Sequence, residues 1–233
     1  MITTRSFLIL GLSLVIGLAV FGLQIGRAVK AGREFDRYLT VKGLSEREAK
    51  ANLAIWPIRF SIAAEDLGML KKAMETNRSL VLAYLRDCGV GATEITQGLP
   101  SVTDRLDERI QSNRPELPRY RGDITLVVRS TNVDLIKKAD QGADILLDRG
   151  VAVESGNQLA FLFTALNDVK PGMIKEATAN ARAAAEKFAE DSSSKVGRIR
   201  KASQGVVEIE DRDAASPEWK MLRVVNTVDF FLE

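Results

Sequence analysis

The chain opens on a long apolar segment. From Ser6 to Gly26, 21 consecutive residues carry no charge, and most of them are Leu, Ile, Val or Phe. A helix of this length, at about 1.5 Å per residue, spans the ~30 Å hydrocarbon core of a bilayer. A cleaved signal peptide has a shorter apolar region of roughly 7–15 residues, and the best candidate cleavage triplet contains Lys30. The pattern predicts an uncleaved N-terminal transmembrane helix, with a signal peptide as the alternative.

Small residues recur at four-residue spacing along this segment. Ser13 pairs with Gly17, and Gly22 pairs with Gly26 in a G-x-x-x-G arrangement. Such spacing lets two helix backbones approach closely in lipid, so these four are candidate helix-packing residues. The alternative is that glycine is simply frequent in membrane helices. Flanking charges do not fix the orientation, because a long domain that follows the helix can translocate regardless of them.

Beyond residue 34, apolar positions alternate between a period of two and a helical period. We therefore divide the chain into an anchor with its flank, residues 1–34, and one domain, residues 35–233. The pattern predicts strands at residues 38–43, 54–62, 94–102, 124–128, 159–163, 196–211 and 221–232. It predicts helices at residues 66–89, 133–149 and 171–188. The charged stretch at residues 104–118 contains Pro115 and Pro118, which predicts an exposed loop.

Several single residues refine these elements. Asp66 is expected to cap the first helix of the domain, and Gly89 to follow its last turn. The apolar stripe of that helix, expected in the core, is Leu67, Leu70, Met74, Val81, Leu85 and Cys88. Pro57 cannot donate to a strand ladder, which predicts an edge position or a bulge there. The apolar stripe of the third helix is predicted to comprise Ile174, Ala177, Ala181, Ala184 and Phe188. It is mostly alanine, which favours a close approach to the surface that the helix covers. Helices interleaved with strand pairs indicate an α+β domain with a mixed sheet packed against three helices.

Composition removes many enzyme classes. Histidine is absent, so no imidazole base, His-containing triad or His-containing zinc site is available. The single cysteine excludes an intrachain disulfide and Cys-x-x-Cys chemistry. A net charge of only +2 argues against nucleic acid as the main partner. No catalytic residue, cofactor-binding residue or metal ligand is expected, and the protein is expected not to be an enzyme.

Three features resemble functional chemistry, but each favours a simpler explanation. Cys88 lies on the apolar stripe of the first helix of the domain, which favours inert packing over a redox role. The sequence from Gly89 to Glu94 begins like a dinucleotide-binding loop but follows a helix and lacks the third glycine. Two acidic clusters lack calcium-loop spacing, which favours a solvated surface. They are formed by Asp104, Asp107 and Glu108, and by Glu208, Glu210, Asp211 and Asp213.

A basic patch follows the long helix. It comprises Lys195, Arg198, Arg200 and Lys201. The patch could meet lipid headgroups or an acidic strand of a partner. Charges that keep an edge strand from unwanted pairing are the simpler interpretation. Interleaved aromatic residues, expected of a nucleic-acid platform, are missing from the patch.

Two stretches resemble the SIMPL-domain family of bacterial envelope proteins. One is VKGLSERE at residues 41–48, followed by LAIWPI at residues 53–58. The other runs from ARAAAEKF at residues 181–188 through SKVG at 194–197 to ASQG at 202–205. The resemblance covers nearly all of residues 35–233. It implies an extracytoplasmic domain that tends to self-associate, in some members as ring or channel-like assemblies, and a link of some members to tolerance of oxidative stress.

The combined expectation is a non-enzymatic envelope protein of the inner membrane. It would pass the membrane once, place its C-terminal domain in the periplasm and form a homo-oligomer, with membrane lipid as the partner of the N-terminal helix. The alternative is a binding module for a small ligand or a partner protein under stress. The sequence identifies neither a ligand nor a cofactor.

Overall fold

A computed structural model describes residues 4–34, 37–154 and 158–233. The described residues form six α-helices and nine β-strands, with a short 3-10 turn at Ala92–Glu94. The helices are α1 (Thr4–Glu34), α2 (Leu67–Asp87), α3 (Leu106–Gln111), α4 (Val133–Gln141), α5 (Ile145–Asp148) and α6 (Leu166–Asp191). The strands are β1 (Tyr38–Lys50), β2 (Leu53–Ala64), β3 (Ile95–Gln97), β4 (Ser101–Asp104), β5 (Tyr120–Ser130), β6 (Ala160–Leu162), β7 (Val196–Gln204), β8 (Glu208–Asp211) and β9 (Trp219–Leu232).

The chain divides into two compact units. The first comprises Met1–Glu46, Lys170–Val207 and Arg223–Glu233, and the second comprises Arg47–Val169 and Glu208–Leu222. The strands form two sheets, and every strand pair whose register is described is antiparallel. Helices and antiparallel strands that are not arranged as βαβ repeats place the fold in the predicted α+β class.

The larger unit is built on strand β2. Its side chains alternate, so that Trp56, Ile58 and Phe60 are 2% exposed or less and enter the core. Strand β5 pairs with β2 along the whole length of β5. Strand β6 pairs with the first residues of β2, and strands β3 and β4 pair with the other side of β5. Helices α2 and α4 pack on this sheet. Leu70, Leu85, Leu126 and Ile136 complete the same apolar core.

In the smaller unit, helix α6 packs on strands β1 and β9. Its core includes Val41, Ala181, Ala185, Val228 and Phe230. Strand β7 pairs with β9 on the side away from β1 and forms an edge of that sheet.

Several sequence predictions are confirmed. The Asp66 carboxylate caps α2 by accepting hydrogen bonds from the backbone N–H groups of Gly68 and Met69. Gly89 has a φ of 90°, as expected of the residue after a helix end. Pro57 lies opposite Val127 of β5. Because β6 pairs only with Leu53–Ile55 of β2, no strand of the described sheet pairs with the other side of Pro57.

Other element boundaries were wrong. The predicted helix at 133–149 is two helices, α4 and α5, because Gly142 ends α4. The predicted loop at 104–118 contains α3, which an ion pair between Arg105 and Glu108 supports over its first turn. The predicted strands at 94–102 and 196–211 are each divided in two, and the domain holds five helices among its described residues.

The predicted sets of buried residues on α2 and α6 were also partly wrong. Leu67 was expected in the core but is 52% exposed, because it precedes the part of α2 that covers the sheet. Helix α6 begins at Leu166, before Pro171, and its buried positions step by four from Met173 through Ala177, Ala181 and Ala185 to Ala189. Phe188, predicted on this stripe, is 60% exposed. The residues from Leu166 to Asp191 nevertheless form the long alanine-rich helix that was predicted.

The N-terminal segment is helical, as predicted. Among the residues that the structure describes, no helix combines the length and the apolar character needed to cross a bilayer. The predicted transmembrane helix is therefore unsupported.

Candidate functional surfaces

Strand β7 presents a basic edge. Arg198, Arg200 and Lys201 are all exposed, and Ile199 between them is 42% exposed. The Arg200 guanidinium lies 4.1 Å from the centre of the Tyr38 ring, and that of Arg198 lies 5.7 Å from the Phe231 ring. Such cation–π contacts hold the guanidinium groups against the sheet while they stay charged. Lys195, the first residue of the predicted patch, exchanges backbone hydrogen bonds with Glu233.

Strand β8 presents an acidic edge. All four of its residues, Glu208, Ile209, Glu210 and Asp211, are exposed. It pairs with β9, and Asp211 forms an ion pair with Lys220. Glu208 and Glu210 form no ion pair with another described residue. This strand therefore offers unneutralised carboxylates and an apolar side chain to solvent.

Helix α1 exposes apolar side chains all around its middle section. Eight large ones between Leu14 and Ile25 are each 48–65% exposed. A Cβ atom added at Gly17, Gly22 or Gly26 would meet nothing within 4 Å. These glycines thus lie on open helix faces, and Ser13 lines a shallow depression with Gly17. The predicted helix-packing role of the four residues stays a prediction.

An apolar groove lies in the larger unit, between helix α2 and strands β4 and β5. It encloses about 350 Å³. Six apolar residues line it: Leu67, Leu70, Met74, Pro100, Val102 and Ile124. Its polar lining residues, Lys71, Glu75 and Arg78, all come from α2. We call this feature the α2–β4 groove.

The α2–β4 groove exists because β4 extends the sheet at its edge. Val102 pairs with Gly122 of β5, and a Cβ at Gly122 would lie 2.6 Å from the Met74 sulfur. The helix therefore sits directly on β5, while Val102 beyond it stays 52% exposed. Leu67 at the start of α2 is exposed to the same degree.

Cys88 is half-buried at the C-terminus of α2 and lies on the border of a second, more polar groove. Its neighbour Tyr84 is buried and donates its hydroxyl to the backbone carbonyl of Ala139. Burial, with further contributions from Cys88 and from Asp144, raises the pKa of Tyr84 above its ordinary value. This tyrosine joins α2 to α4 as a neutral hydrogen-bond donor.

Four of the seven residues in the predicted acidic clusters form ion pairs with arginine or lysine among the described residues, namely Asp104, Glu108, Asp211 and Asp213. Asp104 binds Arg119 at 2.9 Å, and this hydrogen-bonded ion pair lowers the pKa of Asp104. Glu108 binds Arg105 at 2.8 Å, and Asp213 binds Arg212 at 2.9 Å. Within the described ranges, no group of three or more acidic or cysteine side chains is placed to hold a metal ion.

A nearly buried ion pair joins α4 to the start of β9. Lys137 Nζ lies 2.6 Å from Glu218 Oε1, and Glu218 is 8% exposed. The second carboxylate oxygen of Glu218 is buried without a hydrogen-bond partner among the described residues. Burial raises the pKa of Glu218, but the hydrogen bond from Lys137 and further attraction from Lys137 and Lys50 bring its pKa below the ordinary value.

We expect Lys137→Met to destabilise the protein by about 2–3 kcal/mol at pH 7, because it leaves a buried carboxylate unpaired. The native pKa of Glu218 is lowered, so its contribution to stability is present above the unfolded pKa and is lost as pH falls through the native value. Without Lys137, burial dominates and raises that pKa. Urea unfolding should therefore show a smaller stability difference between the two proteins at pH 4 than at pH 7. A difference that stays constant with pH would contradict this account.

Sequence reasoning found the charged residues of β7 and β8 but missed what surrounds them. Tyr38 and Phe231 are remote in sequence from the arginines that stack on them. The α2–β4 groove was missed altogether. Its one local signal is that Leu67, Lys71, Met74 and Arg78 follow each other at helical spacing, so that cations line an apolar stripe.

Comparison with known proteins identifies the domain. The family model described as SIMPL, protein of unknown function (DUF541), matches residues 39–226. The match covers most of the chain and the described elements from β1 to the middle of β9. No curated protein matches the sequence. The resemblance seen in the sequence is thereby confirmed at the level of the family, and the chain belongs to the SIMPL family.

Proposed function

We propose that this protein is a non-enzymatic, self-assembling component of the bacterial envelope. The observation that carries the proposal is the pair of exposed edge strands with opposite charge, β7 and β8. An edge strand offers unpaired backbone N–H and C=O groups to another chain. Copies would associate with β7 of one copy against β8 of the next.

The charges supply specificity for this contact. If two β7 edges met, Arg198, Arg200 and Lys201 of one copy would face the same cations of the other copy. If two β8 edges met, carboxylates would face carboxylates. Like charges opposite each other are destabilising, whereas β7 against β8 is complementary. Because β7 and β8 both pair with β9, β7 of one copy can meet β8 of the next while β8 of the first meets β7 of the second, which gives a closed two-fold dimer. The same contact made in one direction only repeats from copy to copy and closes into a ring when the rotation allows it.

Helix α1 supports a location at a lipid surface. Its exposed apolar side chains between Leu14 and Ile25 are costly in water and favourable in lipid. We propose that α1 associates with the inner membrane and that the domain works in the periplasm. Association of several α1 helices would then follow from assembly of the domain.

A charge-exchange experiment tests the assembly. The mass of the full chain in a mild neutral detergent would be measured by light scattering. Arg200→Glu with Lys201→Glu should reduce the oligomer to monomer, and so should Glu208→Lys with Glu210→Lys. An equimolar mixture of the two variants, or all four changes in one chain, should restore the oligomer because opposite charges meet again.

The matched control places the same charge change elsewhere. Lys175→Glu with Lys187→Glu alters two exposed residues of α6 and should leave the mass unchanged. Loss of the Tyr38 contact in the Arg200 variant costs no more than about 1 kcal/mol, so folding persists. If the unaltered chain is a monomer, or if both charge-reversed variants keep its mass, the proposed contact is wrong.

A further inference from the structure

The α2–β4 groove has the size and lining of a small-ligand site. Its volume of about 350 Å³ lies near the lower end of the ~300–1,000 Å³ range of ligand clefts. Two of its walls, Leu67 and Val102, are each 52% exposed, so an occupant would remove apolar surface from water. The groove is thus favourable for an apolar occupant.

The course of the groove favours an elongated occupant. Its lining residues on α2 run from Leu67 to Arg78, a span of eleven residue steps along one helix stripe. At 1.5 Å per residue this is roughly 16 Å. A linear alkyl chain can lie along such a stripe and contact Leu70, Met74 and Val102 together. A compact ring system would fill only part of it.

The polar side of the groove favours an anion. Arg78 is half-buried, and neither it nor Lys71 forms an ion pair with another described residue. A partly desolvated cation gains when an anion binds it, and the planar guanidinium group matches a carboxylate with two parallel hydrogen bonds. Glu75 on the same side leaves these three lining residues with a net charge of +1. That balance suits a singly charged head better than a doubly charged phosphate.

We propose that the α2–β4 groove binds a free fatty acid or a similar single-chain carboxylate. The alkyl chain lies along Leu67, Leu70 and Met74 beneath Pro100 and Val102. The carboxylate pairs with Arg78, and Lys71 contributes a longer-range attraction. The site shares no residue with the strands β7 and β8 that carry the proposed assembly, so either proposal can fail without the other.

Decanoate is the test ligand. The full chain would be placed in nanodiscs of neutral phosphatidylcholine, and binding of labelled decanoate at pH 8 would be measured by equilibrium dialysis, with empty nanodiscs subtracted. We expect one saturable site per chain. Arg78→Gln should weaken binding about ten- to hundredfold, because a charge-assisted hydrogen bond is lost. 1-Decanol, which has the same chain without the charge, should not displace decanoate at equal concentration.

Two further variants make the test decisive. Lys72→Gln removes a cation from the neighbouring exposed position of α2, outside the groove, and should leave binding unchanged. Val102→Glu adds a charge at an exposed position of the groove wall and should abolish binding while the circular dichroism spectrum stays the same. Absence of a saturable site, or equal binding by Arg78→Gln, overturns the proposal. If Val102→Glu changes the oligomer mass and decanoate does not bind, the groove is a contact between copies and the proposal is likewise wrong.

Discussion

Gly43→Ala should destabilise the protein by about 3 kcal/mol or more. Gly43 lies in β1 directly beneath α6, and a Cβ atom there would overlap the backbone carbonyl oxygen of Ala177. It would also lie 2.8 Å from the Cβ of Ala181. Because two of the three nearest atoms belong to the backbone, rotation of a side chain cannot relieve the overlap. The helix and the strand would have to separate, which loosens the packing of the smaller unit.

The matched control for this change lies in α6 itself. A Cβ atom at Gly172 would meet nothing within 4 Å. Gly172→Ala should therefore stabilise the helix by about 0.5–1 kcal/mol, because alanine loses less backbone freedom on folding. Urea unfolding followed by circular dichroism would compare the two variants with the unaltered chain. Equal stabilities for Gly43→Ala and Gly172→Ala would show that α6 does not approach β1 as closely as described.

The sequence predicted only one side of this close contact, the alanine-rich helix. The alanine-rich stripe of α6 indicated that the helix would lie close to whatever it covers. Nothing local identified Gly43 as the residue beneath it, because Gly43 and Ala177 are remote in sequence. The exact stripe was also misjudged, since Ala185 and Ala189 are buried in place of Ala184 and Phe188. Small residues predict a close contact, but the fold decides which faces meet.

Strand β2 and helix α2 were predictable because their signals are local. Alternation of apolar residues from Ala54 to Ile62 and the Asp66 cap suffice for both. Helix α3 was missed because its neighbouring prolines suggested a loop, whereas the Arg105–Glu108 ion pair and a hydrogen bond from the Leu106 N–H to Asp104 stabilise one short helix. These interactions depend on side-chain placement, which apolar periodicity does not report.

The candidate surfaces likewise differ in whether the sequence could predict them. The charges of β7 and β8 were visible as runs in the sequence, because consecutive residues of an exposed strand reach solvent together. The α2–β4 groove was not visible, because it depends on β4 pairing with β5, at Val102 opposite Gly122. Non-local strand pairing of this kind creates a concave surface that neither segment contains by itself. The sequence could therefore indicate a surface for partners but not a site for a ligand.

Phe60→Ala should destabilise the protein by about 3–5 kcal/mol, the other large effect that we expect. Phe60 is fully buried on the inner face of β2, where it pairs with Ile124 of β5. Truncation removes the apolar contacts of a whole ring and leaves a cavity that the surrounding sheet and helices refill only in part. Phe188→Ala, the matched control, removes the same ring from a side chain that is 60% exposed and should change stability by less than about 0.5 kcal/mol. Thermal unfolding of the two variants would measure the difference. A small effect at Phe60 would mean that the core of the larger unit is not built on β2, and the placement of the α2–β4 groove, which rests on the same sheet, would have to be reconsidered with it.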